Sequence, residues 1–465
     1  MRARALPVDG DTIAAVSTPY GVGGIGIVRT SGPDSARIAH LLFQPKKPLD
    51  RLLSHHLHYG HILACRGGPP IDEVLLAWMR APNTYTREDM VEIQCHGGPL
   101  SVKRILEAVL AQGARLAEPG EFTRRSFQNG RIDLAQAEAV VDIVEAKNET
   151  ALRFAQSQLA GILSDEILRI QEEIRSVLVE VEAWLDFPEE DVAGPQSGSM
   201  LEEIEGWMGS IRKMMSTYRE GHLHRDGVTL VIGGGPNVGK STLLNVLVGK
   251  ERAIVSPLPG TTRDYLEEFV HLGGIPVRLV DTAGIRETRE EIEAKGVTMA
   301  RRKIEEADLF LFVVDARRVE EEGWEGIPAG GETRTLVVIN KVDLVSRDSV
   351  EESIRRIHPL GCVPISALCG QGIDCLRQAI LDRLVTEKMD LDHRIVVTNL
   401  RHQKALGSCL EALEAAKGHL EREEPPGDLL ASDLHYAVRA IGEIVGETTP
   451  EEILNRIFDS FCIGK

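Results

Sequence analysis

Long hydrophobic runs are missing from the sequence, and no apolar stretch reaches the roughly 18 residues that a membrane-spanning helix requires. The first residues, MRARALPVDGDT, also lack the apolar middle section of a secretory signal. These two absences predict a cytoplasmic chain that does not bind a membrane.

Basic side chains are too few to balance the acidic ones. The sequence has 53 Lys and Arg against 71 Asp and Glu, which gives a formal net charge of −18 at pH 7. A chain of this charge repels nucleic acid unless a local basic face or a partner supplies the attraction. Tight, direct RNA binding by this chain alone is therefore not the first expectation.

Cysteines are few and do not form pairs at metal-binding spacings. Their odd number argues against a disulfide framework and fits a reducing compartment. His96, in CHGGP, has no second ligand at a metal spacing nearby, so we interpret it as a structural histidine. The seven cysteines are Cys65, Cys95, Cys362, Cys369, Cys375, Cys409 and Cys462.

At 465 residues the chain exceeds what one hydrophobic core usually serves, so we expect about three domains. The pattern in the first part of the chain predicts a mixed α+β domain. β-branched runs around a glycine cluster in residues 11–30 predict two strands, and further strands are expected near positions 57, 74 and 90. Residues 99–112 have helical spacing and stop at Gly113.

A helical region and a parallel sheet follow. Glycine and proline nearly vanish from residues 132–187. Within this stretch a stripe of apolar residues recurs every three or four positions and predicts a long amphipathic helix. The stripe consists of Leu159, Leu163, Ile167, Ile170, Ile174, Leu178, Val181 and Leu185. A second helical run covers residues 201–220, which favours a bundle. From Gly227 the apolar strands VTLVIGG, PVRLVDTAG, DLFLFVVDA and TRTLVVINKVD alternate with helical segments, as in a parallel sheet. The chain is helical again from about residue 390, so the α/β domain is predicted to interrupt a helical one.

The segment Gly234-Gly-Pro-Asn-Val-Gly-Lys-Ser241 fits a phosphate-binding loop between a strand and a helix. Its glycines allow backbone N–H groups to converge on phosphates at a helix N-terminus. Lys240 adds a positive charge on the outer phosphates, and the Ser241 hydroxyl can hold magnesium. In this context the pattern predicts a nucleotide site rather than an ordinary loop.

Two later segments supply the other phosphate and magnesium contacts. PGTTRD contains Thr262, a candidate second magnesium ligand in a loop that can order around the γ-phosphate. DTAG places Asp281 and Gly284 at the end of a strand, for magnesium and the γ-phosphate. These segments stand in the order of the two switch regions of a GTPase.

The base is read by the segment Asn340-Lys341-Val342-Asp343. The Asp343 carboxylate can accept hydrogen bonds from guanine N1–H and the 2-amino group, which adenine does not offer, so guanine is favoured strongly. Ser366 and Ala367, at the end of CVPISA, would support the base from the other side. Together the motifs predict a GTPase.

Many GTPases carry a water-orienting glutamine after DTAG, but this chain has Ile285, so another polar group or a partner must position the water.

The loop GPNVGKSTLLN, the segment GTTRD and the element DTAGIRET resemble the MnmE (TrmE) family of tRNA modification GTPases, within the TrmE-Era-EngA-like P-loop GTPases. The segments GVGGIGIVRTSGP, APNTYTREDMVEIQCHGGP, EPGEFTRRSFQNGRIDLAQAEAV and FCIGK extend the likeness over nearly the whole chain. The resemblance implies a multidomain α+β and α/β fold. Its parts are an N-terminal folate-binding-like α+β domain that also dimerises (1–127), a helical bundle domain (128–224 and 388–465) and an inserted Ras-like P-loop GTPase domain with helices flanking a parallel sheet (225–387).

The resemblance also implies a potassium ion that takes the role of an arginine finger. Its ligands would be the Asn237 side chain, the Ser256 and Leu258 carbonyls and Thr261. Glu293 would be catalytic through a water molecule, together with Lys240. The full set of GTP contacts is then Asn237, Val238, Gly239, Lys240, Ser241, Thr242, Ser256, Pro257, Leu258, Pro259, Gly260, Thr261, Thr262, Asp281, Thr282, Ala283, Gly284, Asn340, Lys341, Asp343, Ser366, Ala367 and Leu368.

For the N-terminal domain the resemblance implies a bound 5-formyltetrahydrofolate held by Arg29, Glu92, Arg131 and Lys465. Arg and Lys suit the glutamate tail of a folate, and Glu92 can pair with the pterin donors. Read without the family, Arg29 is a strand-end charge and Glu92 a polar residue of a sheet face. Cys462 is either a directly acting catalytic thiol, as the family likeness suggests, or an unreactive free thiol.

Three positions depart from the family pattern. Arg131 stands where lysine is expected and Ser256 where threonine is usual, and both keep the needed charge or backbone group. Gly235 replaces a common arginine, which loosens that edge of the loop without removing a ligand.

The first functional hypothesis is a homodimeric, potassium-dependent GTPase that modifies the wobble uridine of tRNA. It would work with an FAD-containing MnmG-type partner in a heterotetrameric complex. The complex would hold the tRNA mainly through that partner. The GTPase domains of the dimer would meet across their nucleotide faces. Two alternatives stay open: a regulatory or ribosome-assembly GTPase switch without a role in modification, and a folate-dependent one-carbon transferase that merely carries a GTPase domain.

Overall fold

The computed structural model describes residues 10–48, 51–186, 197–249, 267–281, 307–319, 334–357, 361–384, 395–422 and 426–464. Its strands are β1 (Ile13–Val16), β2 (Ile25–Ser31), β3 (Phe43–Pro45), β4 (His56–Leu63), β5 (Pro70–Met79), β6 (Met90–His96), β7 (Arg115–Leu116), β8 (Val228–Gly234), β9 (Glu267–Leu272), β10 (Ile275–Asp281), β11 (Leu309–Asp315), β12 (Thr335–Asn340) and β13 (Cys362–Pro364).

The helices of the described ranges are α1 (Ser35–Leu42), α2 (Pro99–Ala111), α3 (Glu121–Gln128), α4 (Leu134–Glu145), α5 (Glu149–Leu159), α6 (Ile162–Asp186), α7 (Ser197–Ser216), α8 (Tyr218–Asp226), α9 (Lys240–Gly249), α10 (Arg347–Ile357), α11 (Ile373–Leu384), α12 (Leu400–Leu420), α13 (Gly427–Val445) and α14 (Glu451–Asp459). None of them is long and apolar enough to cross a membrane.

The chain divides into two compact units. The first contains residues 1–144, 158–208 and 405–465, and the second contains residues 145–157 and 209–404. The domain boundaries at 127, 224 and 387 remain a prediction.

A mixed sheet forms the centre of the N-terminal part of the first unit. Its strands among the described residues run in the order β3-β4-β5-β6-β2-β1-β7, with β7 parallel to β1 and the other pairs antiparallel. Buried residues of α1 and α2 pack with those of one sheet face, because alternate strand residues point to the same side. The predicted α+β domain is confirmed, and α2 ends two residues before Gly113, whose φ is +104°.

The predicted long amphipathic helix is confirmed as α6, which carries the apolar stripe from Leu163 to Leu185, whereas Leu159, the first residue of the stripe, lies at the end of α5. Gly161, with φ +90°, separates α5 from α6 because a left-handed residue ends a helix. The apolar stripe lies on α6, where Ile167, Ile170 and Ile174 are fully buried. The second helical run is also divided, into α7 and α8. Within the first unit, Gln171 of α6 donates to the Val438 carbonyl of α13 at 3.2 Å.

The second unit contains a sheet with the strand order β13-β12-β11-β8-β10-β9 among the described residues. These strands pair in parallel except β9, which is antiparallel to β10 across the turn at Gly273 and Gly274. The parallel prediction is confirmed for the other strands. Every residue of β11 and β12 is buried, as expected for strands covered on both faces. The carboxyl ends of parallel strands meet at one edge, where ligands bind in such sheets.

Candidate functional site

The predicted phosphate loop joins the end of β8 to the start of α9. Gly234 and Gly239 have φ values of +140° and +101°, which glycine adopts without steric cost. A Cβ on Gly234 would lie 2.1 Å from the Val313 carbonyl oxygen, and one on Gly239 would lie 2.3 Å from Asn340 Nδ2. Both positions therefore require glycine, and the absent side chains leave room for the backbone to approach phosphates.

Lys240 is the first residue of α9 and is nearly buried. Its Nζ donates to the carbonyl oxygens of Gly235 at 2.6 Å and Gly234 at 3.1 Å, so the ammonium lies over the loop. Ser241 and Thr242 follow in the exposed first turn of the helix. A helix N-terminus that carries a positive side chain is a favourable place for an anion.

Asn340, the last residue of β12, connects the phosphate loop to the segment after β13. Its Nδ2 donates to the Val238 carbonyl at 2.8 Å, and its Oδ1 accepts a hydrogen bond from the Ala367 amide at 3.0 Å. The side chain is 2% exposed, so both bonds are shielded from water. Three segments that are far apart in sequence are thus fixed by one amide group.

Lys341 has a left-handed backbone, with φ +66°, and its side chain turns back toward the phosphate loop. Its Nζ donates to the Asn237 carbonyl at 2.6 Å and to Asp315 Oδ2 at 2.8 Å. Asp315 ends β11 beside Asn340 and also accepts hydrogen bonds from Arg317. The sequence motifs did not identify Asp315. A carboxylate at the end of an otherwise apolar buried strand was the available signal.

The residues predicted to contact the base lie beside Asn340 and Lys341. Asp343 is exposed in the short 3-10 helix Val342–Leu344, next to Lys341. Ser366 is buried, and its Oγ accepts a hydrogen bond from the Cys369 amide at 3.2 Å. Leu368 is largely exposed at the rim. The loop, the NKVD segment and the Ser366–Leu368 segment therefore meet at one end of the sheet.

The remaining predicted nucleotide residues are not described. Asp281 ends β10 at the level of Ile232, which is consistent with its predicted position, but its side chain lies outside the described residues. Those wholly outside them are Ser256, Pro257, Leu258, Pro259, Gly260, Thr261, Thr262, Thr282, Ala283, Gly284 and Glu293, together with Lys465.

In the first unit, Arg29 and Glu92 are cross-strand partners on β2 and β6. Arg29 donates to Glu92 Oε1 from Nε at 2.9 Å and from Nη2 at 2.8 Å. The Arg29 guanidinium also lies 5.8 Å from the ring centre of Phe122. Two of the predicted folate contacts are therefore adjacent and pair with each other, on a sheet face that remains partly exposed.

Arg131 packs against Tyr85, with its guanidinium 4.9 Å from the ring centre and Nη1 donating to the Tyr85 carbonyl at 3.0 Å. Burial raises the pKa of the Tyr85 hydroxyl, while its hydrogen bond with Thr123 and the charges of Arg131 and Arg29 oppose the rise. Tyr85 thus lies within electrostatic reach of both arginines. No sequence motif identified Tyr85 as a site residue.

The segment Cys462–Gly464 lies against this same sheet. Ile463 forms a β-bridge with Pro119. The Gly464 carbonyl accepts hydrogen bonds from Ser17 Oγ at 3.1 Å and from Arg29 Nη1 at 3.3 Å. Gly464 has φ +93°, and a Cβ there would lie 2.3 Å from the Val16 carbonyl oxygen. Cys462, two residues before Gly464, is exposed.

Comparison with known proteins extends over both units. Residues 12–131 match the family described as "GTP-binding protein TrmE N-terminus", and residues 134–462 match the family described as "MnmE helical domain". A protein of Carboxydothermus hydrogenoformans named tRNA modification GTPase MnmE is 44% identical over 459 residues, which are 98% of this chain and 99% of that protein. A protein of the same name from Geobacter metallireducens is 44% identical over 457 residues, with the same coverage. Among solved structures, the G domain of FeoB from Methanococcus jannaschii is similar, with 26% identity over 34% of this chain and 97% of that chain and a TM-score of 0.25.

Proposed function

Because the chain is a GTPase that belongs to the MnmE family of tRNA modification GTPases, we propose that it couples potassium-dependent GTP hydrolysis to modification of the tRNA wobble uridine. The added group would be aminomethyl or carboxymethylaminomethyl at C5. The observation that carries this proposal is the hydrogen bond from Arg29 to the Gly464 carbonyl, which holds the Cys-Ile-Gly-Lys segment beside the proposed folate contacts. A GTPase that acted only as a switch would have no use for this second site.

GTP is the substrate of the site at the end of the second sheet. Lys240 and the glycines of the loop fit its phosphates, since the loop leaves no room for a Cβ at Gly234 or Gly239. Magnesium held by Ser241 and Thr262, and potassium held by Asn237, Ser256, Leu258 and Thr261, would supply positive charge against the transferring phosphate.

The attacking water must be positioned by a residue other than the one directly after DTAG. Ile285, directly after DTAG, has an aliphatic side chain that cannot orient water. Glu293 is proposed to position the attacking water through a second water molecule. Lys240 stabilises the negative charge on the outer phosphates during hydrolysis.

A 5-formyltetrahydrofolate is proposed to bind beside the Arg29–Glu92 pair, with Arg131 and Lys465 as further contacts. The site offers guanidinium groups for a carboxylate tail and the partly exposed ring of Tyr85 for a flat heterocycle. When bound, this group would supply a one-carbon unit. The chain's own residues would hold and orient it, and the exposed Cys462 is proposed to act there directly.

The same sheet face is proposed to contact a second copy of the chain. Leu57, Tyr59 and Leu75 are exposed on adjacent strands, and the row Leu57, Ala77, Glu92 and Arg29 runs from this apolar area into the proposed folate site. An apolar area next to a ligand site on an open sheet face is suited to a homodimer interface.

The dimer is tested by placing a charge on that face. Leu57→Asp and Leu75→Asp should shift the mass measured by sedimentation velocity from dimer to monomer. Leu100→Asp provides the control, because Leu100 is even more exposed than Leu57 and Leu75 but lies on α2 rather than on this face. A dimer that tolerates both sheet substitutions would exclude this interface.

We propose that tRNA binds mainly through a partner rather than through this chain, which the net charge of −18 supports. We propose an FAD-containing MnmG-type protein as that partner, in a heterotetramer that works in the cytoplasm. Two copies of each chain would then form the active enzyme.

The modification role is tested in cells that lack the protein and are supplied with variants. Arg29→Ala should lose the modified wobble nucleoside, measured by mass spectrometry, while the purified variant retains GTP turnover. Arg37→Ala is the matched control, because Arg37 is exposed on α1 and pairs with Asp34. Normal wobble uridines in cells without the protein would remove this proposal and favour the regulatory or ribosome-assembly switch.

A further inference from the structure

A buried carboxylate outside the sequence motifs lies between the two halves of the nucleotide site. Asp315 ends β11 and is 3% exposed, and its Cα is the cross-strand partner of Asn340. A carboxylate in such a place is costly unless cations and hydrogen-bond donors compensate for its lost hydration. Its partners therefore indicate what it does.

One partner is Lys341, whose ammonium also contacts the phosphate loop. Lys341 Nζ lies 2.8 Å from Asp315 Oδ2 and 2.6 Å from the Asn237 carbonyl oxygen. A lysine side chain is long and flexible, so a single neutral carbonyl restrains it weakly. The charged oxygen of Asp315 provides a second, stronger acceptor and fixes the ammonium against the loop.

The other partner is Arg317, which holds the carboxylate itself in place. Its Nη2 lies 2.7 Å from Oδ2 and its Nε lies 3.1 Å from Oδ1, while its backbone amide donates to Oδ1 at 3.0 Å. The bidentate contact leaves the Asp315 plane little freedom to rotate. The Arg317 side chain is more exposed than that of Asp315, so it contacts the carboxylate from the solvent side. The carboxylate thereby stays turned toward Lys341.

We propose that Asp315 is a positioning residue for guanine nucleotide binding, which holds the Lys341 ammonium on the Asn237 carbonyl and so keeps the NKVD segment in register with the phosphate loop. Asp315 acts only through Lys341 and does not touch the nucleotide. A purely structural ion pair at the end of a strand would instead stabilise the sheet without affecting nucleotide affinity.

The test compares Asp315→Asn with Asp308→Asn. Asp308 precedes the opposite end of β11, is exposed, and accepts a hydrogen bond from the Thr229 amide, away from the site. Asp315→Asn should raise the KM for GTP by about tenfold or more with little change in kcat, because an interaction made equally in ground and transition states is lost. Asp308→Asn should leave both constants as in the unmodified chain.

A double-mutant cycle with Lys341→Met separates positioning from general stabilisation. In the Lys341→Met background, Asp315→Asn should cause no further rise in KM, because the contact it supports is already gone. Equal KM values for Asp315→Asn and the unmodified chain, or multiplying effects in the double variant, would overturn the proposal. If Asp315→Asn does not fold, Arg317→Gln, which removes the bidentate contact that orients Asp315, decides: a raised KM supports the positioning role and an unchanged KM contradicts it.

Discussion

The Asn340 side-chain amide spans the distance between the phosphate loop and the base-supporting segment, with Nδ2 2.8 Å from the Val238 carbonyl and Oδ1 3.0 Å from the Ala367 amide. Both bonds are buried, so neither partner can exchange to water without cost. The first residue of the NKVD segment thus also fixes the geometry of the proposed phosphate site. We expect the affinity for the phosphates and the selectivity for the base to be linked through this group.

Gly239 allows Asn340 to approach the loop, and the two glycines at the ends of this helical segment provide a matched test. Gly239→Ala should abolish GTP binding, because its Cβ would lie 2.3 Å from Asn340 Nδ2 and its φ is +101°. Gly249→Ala should bind GTP normally and unfold at the same or a slightly higher temperature, because a Cβ there meets nothing within 4 Å and alanine favours helix. Titration calorimetry with a non-hydrolysable GTP analogue measures the affinity, and thermal denaturation measures the unfolding temperature. Wild-type affinity in Gly239→Ala would refute the predicted clash.

The nucleotide site was largely predictable because its chemistry depends on short motifs. Lys240, Asn340 and Ala367 were identified from local patterns, and the structure brings them together at the end of the sheet. Asp315 was missed because its role depends on Lys341, which is 26 residues away in the sequence. A single acidic residue after six apolar ones cannot show by itself which cation it will meet.

The other differences between the sequence-based predictions and the structure arise where local patterns carry too little information. The antiparallel edge strand β9 was not predicted, since apolar alternation does not reveal strand direction. The break between α5 and α6 had a visible signal in Gly161, but a single glycine within a helical pattern is often tolerated. The contact between Gly464 and Ser17 joins residues 447 positions apart, which no local pattern encodes.

Asn237 should be responsible for stimulation by potassium. Its φ is +61° and its carbonyl is held by Lys341, so glycine can replace it without backbone strain while removing the amide oxygen. GTP turnover should be faster in potassium than in sodium for the unmodified chain, and equal in both salts for Asn237→Gly. An arginine finger, whose role the potassium ion is proposed to take, contributes about 10³–10⁵-fold in other GTPases, so a loss of at least about tenfold is expected.

The control for Asn237→Gly is its affinity for GDP, which should remain close to that of the unmodified chain. Equal turnover in the two salts before any substitution would retire the assignment of potassium. A potassium response that survives in Asn237→Gly would instead move the ion away from this residue.

The ion pair between Asp72 and His96 should make the local stability of β6 depend on pH. His96 Nδ1 lies 2.7 Å from Asp72 Oδ1, and Ser101 Oγ donates to the other oxygen at 2.8 Å. The hydrogen bond and charge of Asp72 raise the pKa of His96. Burial raises the pKa of Asp72, but the hydrogen bonds from His96 and Ser101 lower it further than burial raises it, so the net shift is downward.

The two shifts define a window of maximal stabilisation. The contribution of His96 to stability is complete below its unfolded pKa of about 6.5 and is lost as pH rises through the raised folded pKa. The contribution of Asp72 to stability is complete above its unfolded pKa of about 3.9 and is lost as pH falls through the lowered folded pKa. Asp72→Asn should therefore decrease amide protection in residues 90–101 more at about pH 5.5 than at about pH 9, as measured by hydrogen exchange. In a His96→Gln background this pH dependence should disappear, and an equal loss at both pH values with His96 present would contradict the assignment.

If the NKVD segment and the lysine-bearing loop bind the same guanine nucleotide, Asp343→Asn should change which base is bound. The most direct measurement compares the affinities for GTP and xanthosine triphosphate before and after this substitution. The Asp343 carboxylate accepts from guanine N1–H and the 2-amino group, whereas asparagine would accept from N1–H and donate to the 2-oxo group of xanthine. The unmodified chain should prefer GTP and Asp343→Asn should prefer xanthosine triphosphate, each by about 100-fold or more. An unchanged preference for GTP in Asp343→Asn would show that this segment does not read the base.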